Sequence, residues 1–80
     1  MPDVLRIGPY RFYFWSNESN EPSHIHVKRD RSVAKYWIDP TVALAKNHGF
    51  ARHELTVVRR LVEEHRERLL EAWREHFDQA

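Results

Sequence analysis

The amino-acid sequence predicts an α+β fold, with a three- to four-stranded antiparallel meander followed by a short helix and one long C-terminal helix packed on one sheet face. Two observations support this prediction. Up to residue 38 the chain consists of short aromatic or alternating runs separated by turn residues, which is typical of strands. From residue 52 onward, apolar residues recur at helical spacing among charged ones. A chain of 80 residues provides one domain, residues 1–80.

Four segments fit strands. Residues 4–7 stop at the breaker Gly8-Pro9, and residues 10–15 are almost wholly aromatic, which favours a half-buried sheet surface. Residues 24–29 alternate between polar and apolar side chains, as expected for a strand with one buried face. After the turn at Asp30-Arg31, residues 32–38 form the last predicted strand.

Two helices are expected after the meander. Asp39 can cap a helix and Pro40 suits its first position, so a short helix is predicted over residues 40–47. Gly49 would end this helix in the left-handed conformation. A long helix is predicted over residues 52–77 because one apolar stripe runs along that segment.

Composition excludes some classes of site. The chain has no cysteine, so a disulfide framework and a thiolate zinc site are both excluded. Its formal net charge of +1 does not by itself indicate a nucleic-acid-binding protein, although the basic residues predominate in the first half. No apolar run approaches the roughly 20 residues of a membrane span, and the first residues do not resemble a signal peptide. We therefore expect a cytoplasmic protein without a membrane partner.

The polar segment 16–28 is the candidate functional motif. It contains the carboxylates of Glu18 and Glu21 and the imidazoles of His24 and His26, and it ends at Lys28. Residues two apart in a strand point to the same face, so the two histidines and the lysine share one face. The opposite face is apolar and is expected to enter the core.

The same alternation extends this face to the neighbouring strands. The orientation of residues 32–38 is ambiguous, and we place Lys35 outward because an unpaired buried ammonium is costly. The open face would then combine cations, aromatic rings and imidazoles: Arg11, Tyr13, Trp15, His24, His26, Lys28, Lys35 and Trp37.

Such a face suits RNA, because bases stack on aromatic side chains and lysine or arginine contacts phosphates. Cleavage without a metal needs a base, an acid and a cation for the developing charge. We predict His24, His26 and Glu21 as catalytic groups, with no cofactor. The predicted substrate-binding residues are Arg11, Tyr13, Glu18, Lys28, Lys35 and Trp37.

Other functions use the same residues differently. The face could bind RNA without cleaving it, or the His-x-His pair with Glu18 or Glu21 could bind a metal ion. The polar segment could also serve the fold alone. A further alternative is a protein-binding module or homodimer that uses the end of the long helix, where Leu70, Trp73 and Phe77 either contact a partner or close the core.

Two motifs extend across most of the chain. Glu21-Pro22-Ser23-His24-Ile25-His26-Val27 gives the pattern E-P-x-H-x-H-V, and residues 34–40 give A-K-x-W-x-D-P. With Gly49-Phe50 and Glu54-Leu55, they make the chain resemble domain-of-unknown-function family 4160, a family of small bacterial and phage proteins.

The family resemblance implies a partner and a set of residues to test. Genes of this family often neighbour those of family 2442, which implies a two-gene module of toxin–antitoxin type with a family 2442-like partner. It also singles out Glu18, Glu21, His24, His26, Lys35, Trp37 and Asp39. The chain departs from the family at Ala51, where Ser is common and would form a capping box with Glu54. Loss of the box would cost the helix about 1 kcal/mol.

Overall fold

A computed structural model describes residues 3–15 and 20–77, and the predicted site residue Glu18 lies outside these ranges. The fold is α+β, as predicted, but the antiparallel sheet has five strands, in the order β1-β2-β3-β4-β5, and not the three or four expected. Two helices follow the sheet. The strands are β1 (Asp3–Ile7), β2 (Tyr10–Tyr13), β3 (His24–Arg29), β4 (Ser32–Trp37) and β5 (Ala43–His48), and the helices are α1 (Arg52–Glu64) and α2 (Arg66–Phe77).

The tight turns of the meander use backbone conformations that few residues adopt. Gly8 turns β1 into β2 with a φ of 55°, and Asp30 turns β3 into β4 with a φ of 53°. Gly49 follows β5 with a φ of 107°, and a Cβ there would lie 2.9 Å from the Ser32 hydroxyl oxygen. Glycine is therefore required at position 49 both by the backbone and by the close approach of β4.

The core lies between one sheet face and the two helices. Phe12, Ile25 and Val27 from the sheet are completely buried, as are Val58 and Val62 from α1. Burying each such side chain contributes about 1.5–3 kcal/mol. The remaining members of this core cluster are Tyr10, Phe14, Ala34, Tyr36, Ile38, Val42, Phe50, Leu69, Leu70 and Trp73. The helices cover this face and leave the opposite one open.

The short helix predicted over residues 40–47 is wrong, because this segment contains strand β5. Its alanine, leucine and lysine favour a helix in isolation, but pairing with β4 satisfies backbone groups along the edge of the sheet. Asp39 does not cap a helix, and its carboxylate lies 3.5 Å from the Arg66 guanidinium. Arg66 also donates to the carbonyl oxygens of Ile38 at 2.7 Å and Pro40 at 2.9 Å, which ties the connection to α2.

The prediction of a single long helix is also wrong, because the helical segment is divided at His65 into α1 and α2. There φ is −109° and ψ is 15°, outside the helical region, and the His65 Nδ1 donates to the Leu61 carbonyl oxygen at 2.9 Å. The interruption is local, since the Leu69 amide still donates to the His65 carbonyl oxygen at 3.0 Å. The outer bounds, Arg52 and Phe77, agree with the prediction.

The end of α2 belongs to the core. Leu70 and Trp73 are buried, and the Trp73 ring packs against Phe14 with 5.2 Å between ring centroids. Phe77 is half-buried against the same cluster. The apolar residues at this end therefore close the core. This was one of the two roles that the sequence allowed, the other being contact with a partner. In the described part of the chain, no helix is long and apolar enough to cross a membrane.

Candidate functional site

The open face of the sheet contains a cleft of about 360 Å³. Side chains on this face alternate with core residues along each strand, as the sequence pattern predicts. The cleft is lined by Tyr13, Trp15, His26, Val33, Lys35, Lys46 and His48. Four of these, Tyr13, Trp15, His26 and Lys35, were expected to share the open face.

One wall of the cleft is aromatic. The Tyr13 and His26 rings stack at 5.3 Å with 24° between their planes, and Trp15 meets Tyr13 edge-on at 5.6 Å. Tyr13 is buried beneath its neighbours, whereas 45% of Trp15 is exposed. The exposed indole is therefore the aromatic surface in this wall that is most accessible for stacking with a ligand.

Lys35 stands at the centre of the site. Its Nζ donates to the Glu21 carboxylate at 2.6 Å and lies 4.6 Å from the Trp37 ring centroid. These contacts explain why the lysine faces outward, as predicted: a carboxylate and an aromatic ring both stabilise the cation. Glu21 and Trp37 thus support the lysine, while Lys35 itself reaches the cleft.

His24 occupies a different environment from His26. Its ring is completely buried and lies 4.8 Å from Trp73, 5.7 Å from Trp37 and 5.1 Å from His26. Its Nδ1 lies 2.9 Å from the Pro22 carbonyl oxygen, and a carbonyl can only accept, so Nδ1 carries a proton. The His24 ring therefore connects the loop before β3 to helix α2.

The predicted catalytic groups are close together but do not all face the cleft. Glu21 Oε1 lies 3.9 Å from His24 Nδ1, and the His24 ring is adjacent to that of His26. A continuous series of contacts thus links Lys35, Glu21, His24 and His26. Only Lys35 and His26 line the cleft, so Glu21 and His24 are placed to position them rather than to touch a ligand there.

Two predicted substrate-binding cations lie beside the cleft. Arg11 and Lys28 are paired across β2 and β3, and Val33 of β4 is paired with Lys28. Arg11 forms an ion pair with Asp3 at 3.1 Å, which offsets part of its charge. Lys28 therefore extends the positive charge of the open face beyond the lining of the cleft.

Lys46 and His48 were missed because they fall in the segment assigned to a helix. In β5 they are two residues apart, and the register places Lys46 opposite Lys35 and His48 opposite Val33. The Lys46-Asn47-His48 spacing was the available signal. A second signal was Asn47, whose side chain donates to the Phe50 carbonyl oxygen at 3.0 Å and accepts from its amide at 3.1 Å. This local bonding favours a turn over a helix.

The metal alternative gains no support from the described geometry. Within residues 3–15 and 20–77, no group of three histidine, aspartate or glutamate side chains is close enough to hold a metal ion. Glu21 is instead bonded to Lys35. The proposed contribution of Glu18 to such a set falls on a residue that the structure does not describe.

Fold and site together define a small α+β domain with a helix-covered core face and an open sheet face bearing a cationic and aromatic cleft. The chain belongs to the domain-of-unknown-function family DUF4160, whose model matches residues 10–74. The match includes both motifs quoted above and all the residues of the cleft. Searches of curated proteins and of solved structures found no match.

Proposed function

We propose that the open sheet face binds RNA, the ligand class expected from the sequence, and that it does so in single-stranded form. The observation that carries the proposal is the composition of the cleft, in which Lys35 and Lys46 supply ammonium groups, Trp15 an exposed ring, and His26 and His48 imidazoles. Single-stranded nucleic acids are bound by this combination of cations along a backbone and aromatic planes for bases.

The arrangement of charge supports a polyanion as ligand. Lys35 and Lys46 are opposite one another on neighbouring strands, and Arg11 and Lys28 are paired on the same face. Within residues 3–15 and 20–77, the carboxylates that form ion pairs with these cations are Asp3 and Glu21, so cations outnumber carboxylates in this described set. In the described part of the chain, the other face of the sheet is covered by the helices.

Burial at the end of α2 supports the open sheet face, and not that helix end, as the binding surface. Leu70 and Trp73 are buried in the core, so they are not exposed to a protein partner. By contrast, the open face exposes Trp15, and Lys46 and His48 lie on an exposed strand. We therefore place the proposed ligand on the sheet.

Fluorescence anisotropy with a labelled RNA of mixed sequence would test the proposal. Lys46→Ala is expected to weaken binding and to lower the slope of log affinity against log salt by about 0.7, the value for one phosphate contact on a single strand. Trp15→Ala should cost about 1–3 kcal/mol, or roughly 5- to 150-fold in affinity, through loss of stacking. The matched control for the lysine is Arg60→Ala, which removes an exposed cation from α1.

The outcomes separate a specific face from general charge attraction. Binding that responds to the cleft variants and not to Arg60→Ala supports the proposal. Equal losses with Lys46→Ala and Arg60→Ala would show that net charge alone attracts the RNA. Absence of binding at low salt by the folded wild-type protein would overturn the proposal.

A further inference from the structure

We infer that His26 and His48 form an acid–base pair that cleaves the RNA bound in this cleft. The inference deepens the proposed function and rests on it. It replaces the expected pair, His24 with His26, by a pair drawn from β3 and β5. The observation behind it is that both imidazoles, from the two strands that flank β4, line one cleft together with Lys35 and Lys46.

The register of the sheet places the two histidines on the strands that flank β4 and its Lys35. His26 is opposite Lys35, Lys35 is opposite Lys46, and His48 follows Lys46 by two residues. Since neighbouring strands are about 4.8 Å apart, β3 and β5 lie about 10 Å apart across β4. A phosphate held over Lys35 would therefore have His26 directly across on one side and His48 diagonally across on the other, two residues along β5 from Lys46.

The buried state of His24 removes it from this role. Its ring is completely inaccessible to solvent and packs between Trp37, Trp73 and His26. A ribose or phosphate oxygen cannot reach it while the ring stays buried. His24 instead packs nearly perpendicular to the His26 ring, which stacks on Tyr13.

The reaction needs no group beyond the two imidazoles and a cation. One imidazole, in its neutral form, accepts the proton of a ribose 2′-hydroxyl as the 2′-oxygen attacks the adjacent phosphorus. The bond from phosphorus to the 5′-oxygen breaks, and the other imidazole, in its charged form, donates a proton to that oxygen. The products are a 2′,3′-cyclic phosphate and a 5′-hydroxyl end, so protons and bonds balance.

The lysines have a separate part in this step. The phosphate oxygens gain negative charge as the 2′-oxygen attacks, and an ammonium aimed at them stabilises that charge. Lys35 is held in position by Glu21 and Trp37, so it is preorganised for this contact.

Cleavage of an RNA oligonucleotide, followed by identification of the ends, would test the inference. Wild-type protein should generate 2′,3′-cyclic phosphate and 5′-hydroxyl ends in the presence of a chelator. His26→Ala and His48→Ala should each lower the rate by about 10²- to 10⁴-fold, the usual contribution of a positioned acid or base. His53→Ala, which removes an exposed histidine at the start of α1, should retain the wild-type rate.

Binding measured on the same samples distinguishes this inference from the proposed function. An RNA with a single ribose, the others being 2′-deoxy, should be cut only after that ribose, and the all-deoxy strand should remain intact. RNA that binds at the cleft without being cleaved would overturn the acid–base pair alone. If the wild-type protein did not bind RNA at all, both proposals would be overturned.

A folding defect in one variant would not obscure the result. His26 is half-buried and stacked on Tyr13, whereas His48 is exposed on the edge strand β5, so His48→Gln should leave the fold intact. Full cleavage by a folded His48→Gln protein would contradict the inference whatever happens at His26.

Discussion

At the residue scale, Glu21 limits how much positive charge the open face presents. Its carboxylate accepts from Lys35 Nζ at 2.6 Å and is itself 39% exposed, so it competes with a phosphate for the same ammonium. The pair is screened by water at this exposure, and its net contribution to the free energy of folding is expected to be small. Its effect on a ligand should be larger than its effect on the fold.

We therefore expect Glu21→Gln to tighten RNA binding. A unit charge about 6 Å from a phosphate in water-like surroundings contributes about 0.7 kcal/mol, so affinity should rise roughly threefold at low salt. The gain should shrink as salt is added. Anisotropy measured beside the control Glu63→Gln, which neutralises an exposed carboxylate on α1, would check this. Weaker binding by Glu21→Gln would instead indicate that the carboxylate contacts the ligand.

A second residue, Glu54, links the start of α1 to the sheet. Its carboxylate accepts from the Tyr10 hydroxyl at 2.9 Å and from Arg29 Nη1 at 2.7 Å. The hydrogen bond from Tyr10, and after it the one from Arg29, lowers the pKa of Glu54 below its ordinary value. Burial, with the hydrogen bond to Glu54, raises the pKa of the Tyr10 hydroxyl.

The sign of the Glu54 shift predicts a loss of stability in acid. Because the pKa is lower in the folded protein, the carboxylate stabilises the fold fully above its ordinary pKa, and this stabilisation is lost as pH falls through the lowered value. Urea unfolding measured as the pH is lowered through the pKa of Glu54 should show the free energy of unfolding decline. The Glu54→Gln variant should lack the part of this decline that comes from Glu54. An unchanged pH dependence in the variant would show that other carboxylates are responsible.

At the scale of elements, α1 begins without a side-chain cap. Ala51 occupies the N-cap position with extended backbone angles, and its carbonyl oxygen accepts from the amides of Glu54 and Leu55. No side-chain hydrogen bond caps the helix there. The helix nevertheless starts at Arg52, as predicted, because Leu55, Val58 and Val62 pack on the core.

Ala51→Ser should therefore stabilise the protein. A serine hydroxyl at this position can accept from a free amide of the first turn, a gain of about 1 kcal/mol in the free energy of unfolding. Urea denaturation would measure it, with Ala45→Ser on exposed strand β5 as the control for the same chemical change elsewhere. If both variants changed stability equally, the effect would not come from the cap.

At the scale of the whole molecule, the remaining proposal is a role as the toxin of a toxin–antitoxin module. Cleavage of cellular RNA by the open face would account for such a role. Induced expression in a bacterium is then expected to arrest growth. The double variant His26→Ala/His48→Ala should relieve the arrest, because it lacks both imidazoles of the proposed pair. Colony counts after induction would check this, with His53→Ala as a variant that remains toxic.

Two results would contradict that role. If a folded His26→Ala/His48→Ala protein, produced at wild-type levels, were fully toxic, RNA cleavage by this pair would not be the cause. If the wild-type chain did not slow growth at all, the proposal of a toxin would be wrong, while RNA binding and cleavage in vitro would remain separate questions.

Local sequence patterns determined most of the meander and of the open face. Alternation in residues 24–29 correctly separated Ile25 and Val27 from His26, because side chains two apart share a face whatever the partner strand. The outward orientation of Lys35 followed from the cost of burying an ammonium. Turn residues and the apolar stripe set the bounds of the hairpins and the helical segment.

Only tertiary structure decided the identity of β5 and the environment of His24. Residues 43–48 have the composition of a helix, and they form a strand because the edge of β4 offers them backbone partners from elsewhere in the chain. By alternation His24 falls on the same face of β3 as His26, but Trp73, which is distant in sequence, packs against the His24 ring. Local sequence therefore determined which face each strand residue occupies, whereas contacts between distant segments decided which imidazoles reach the cleft.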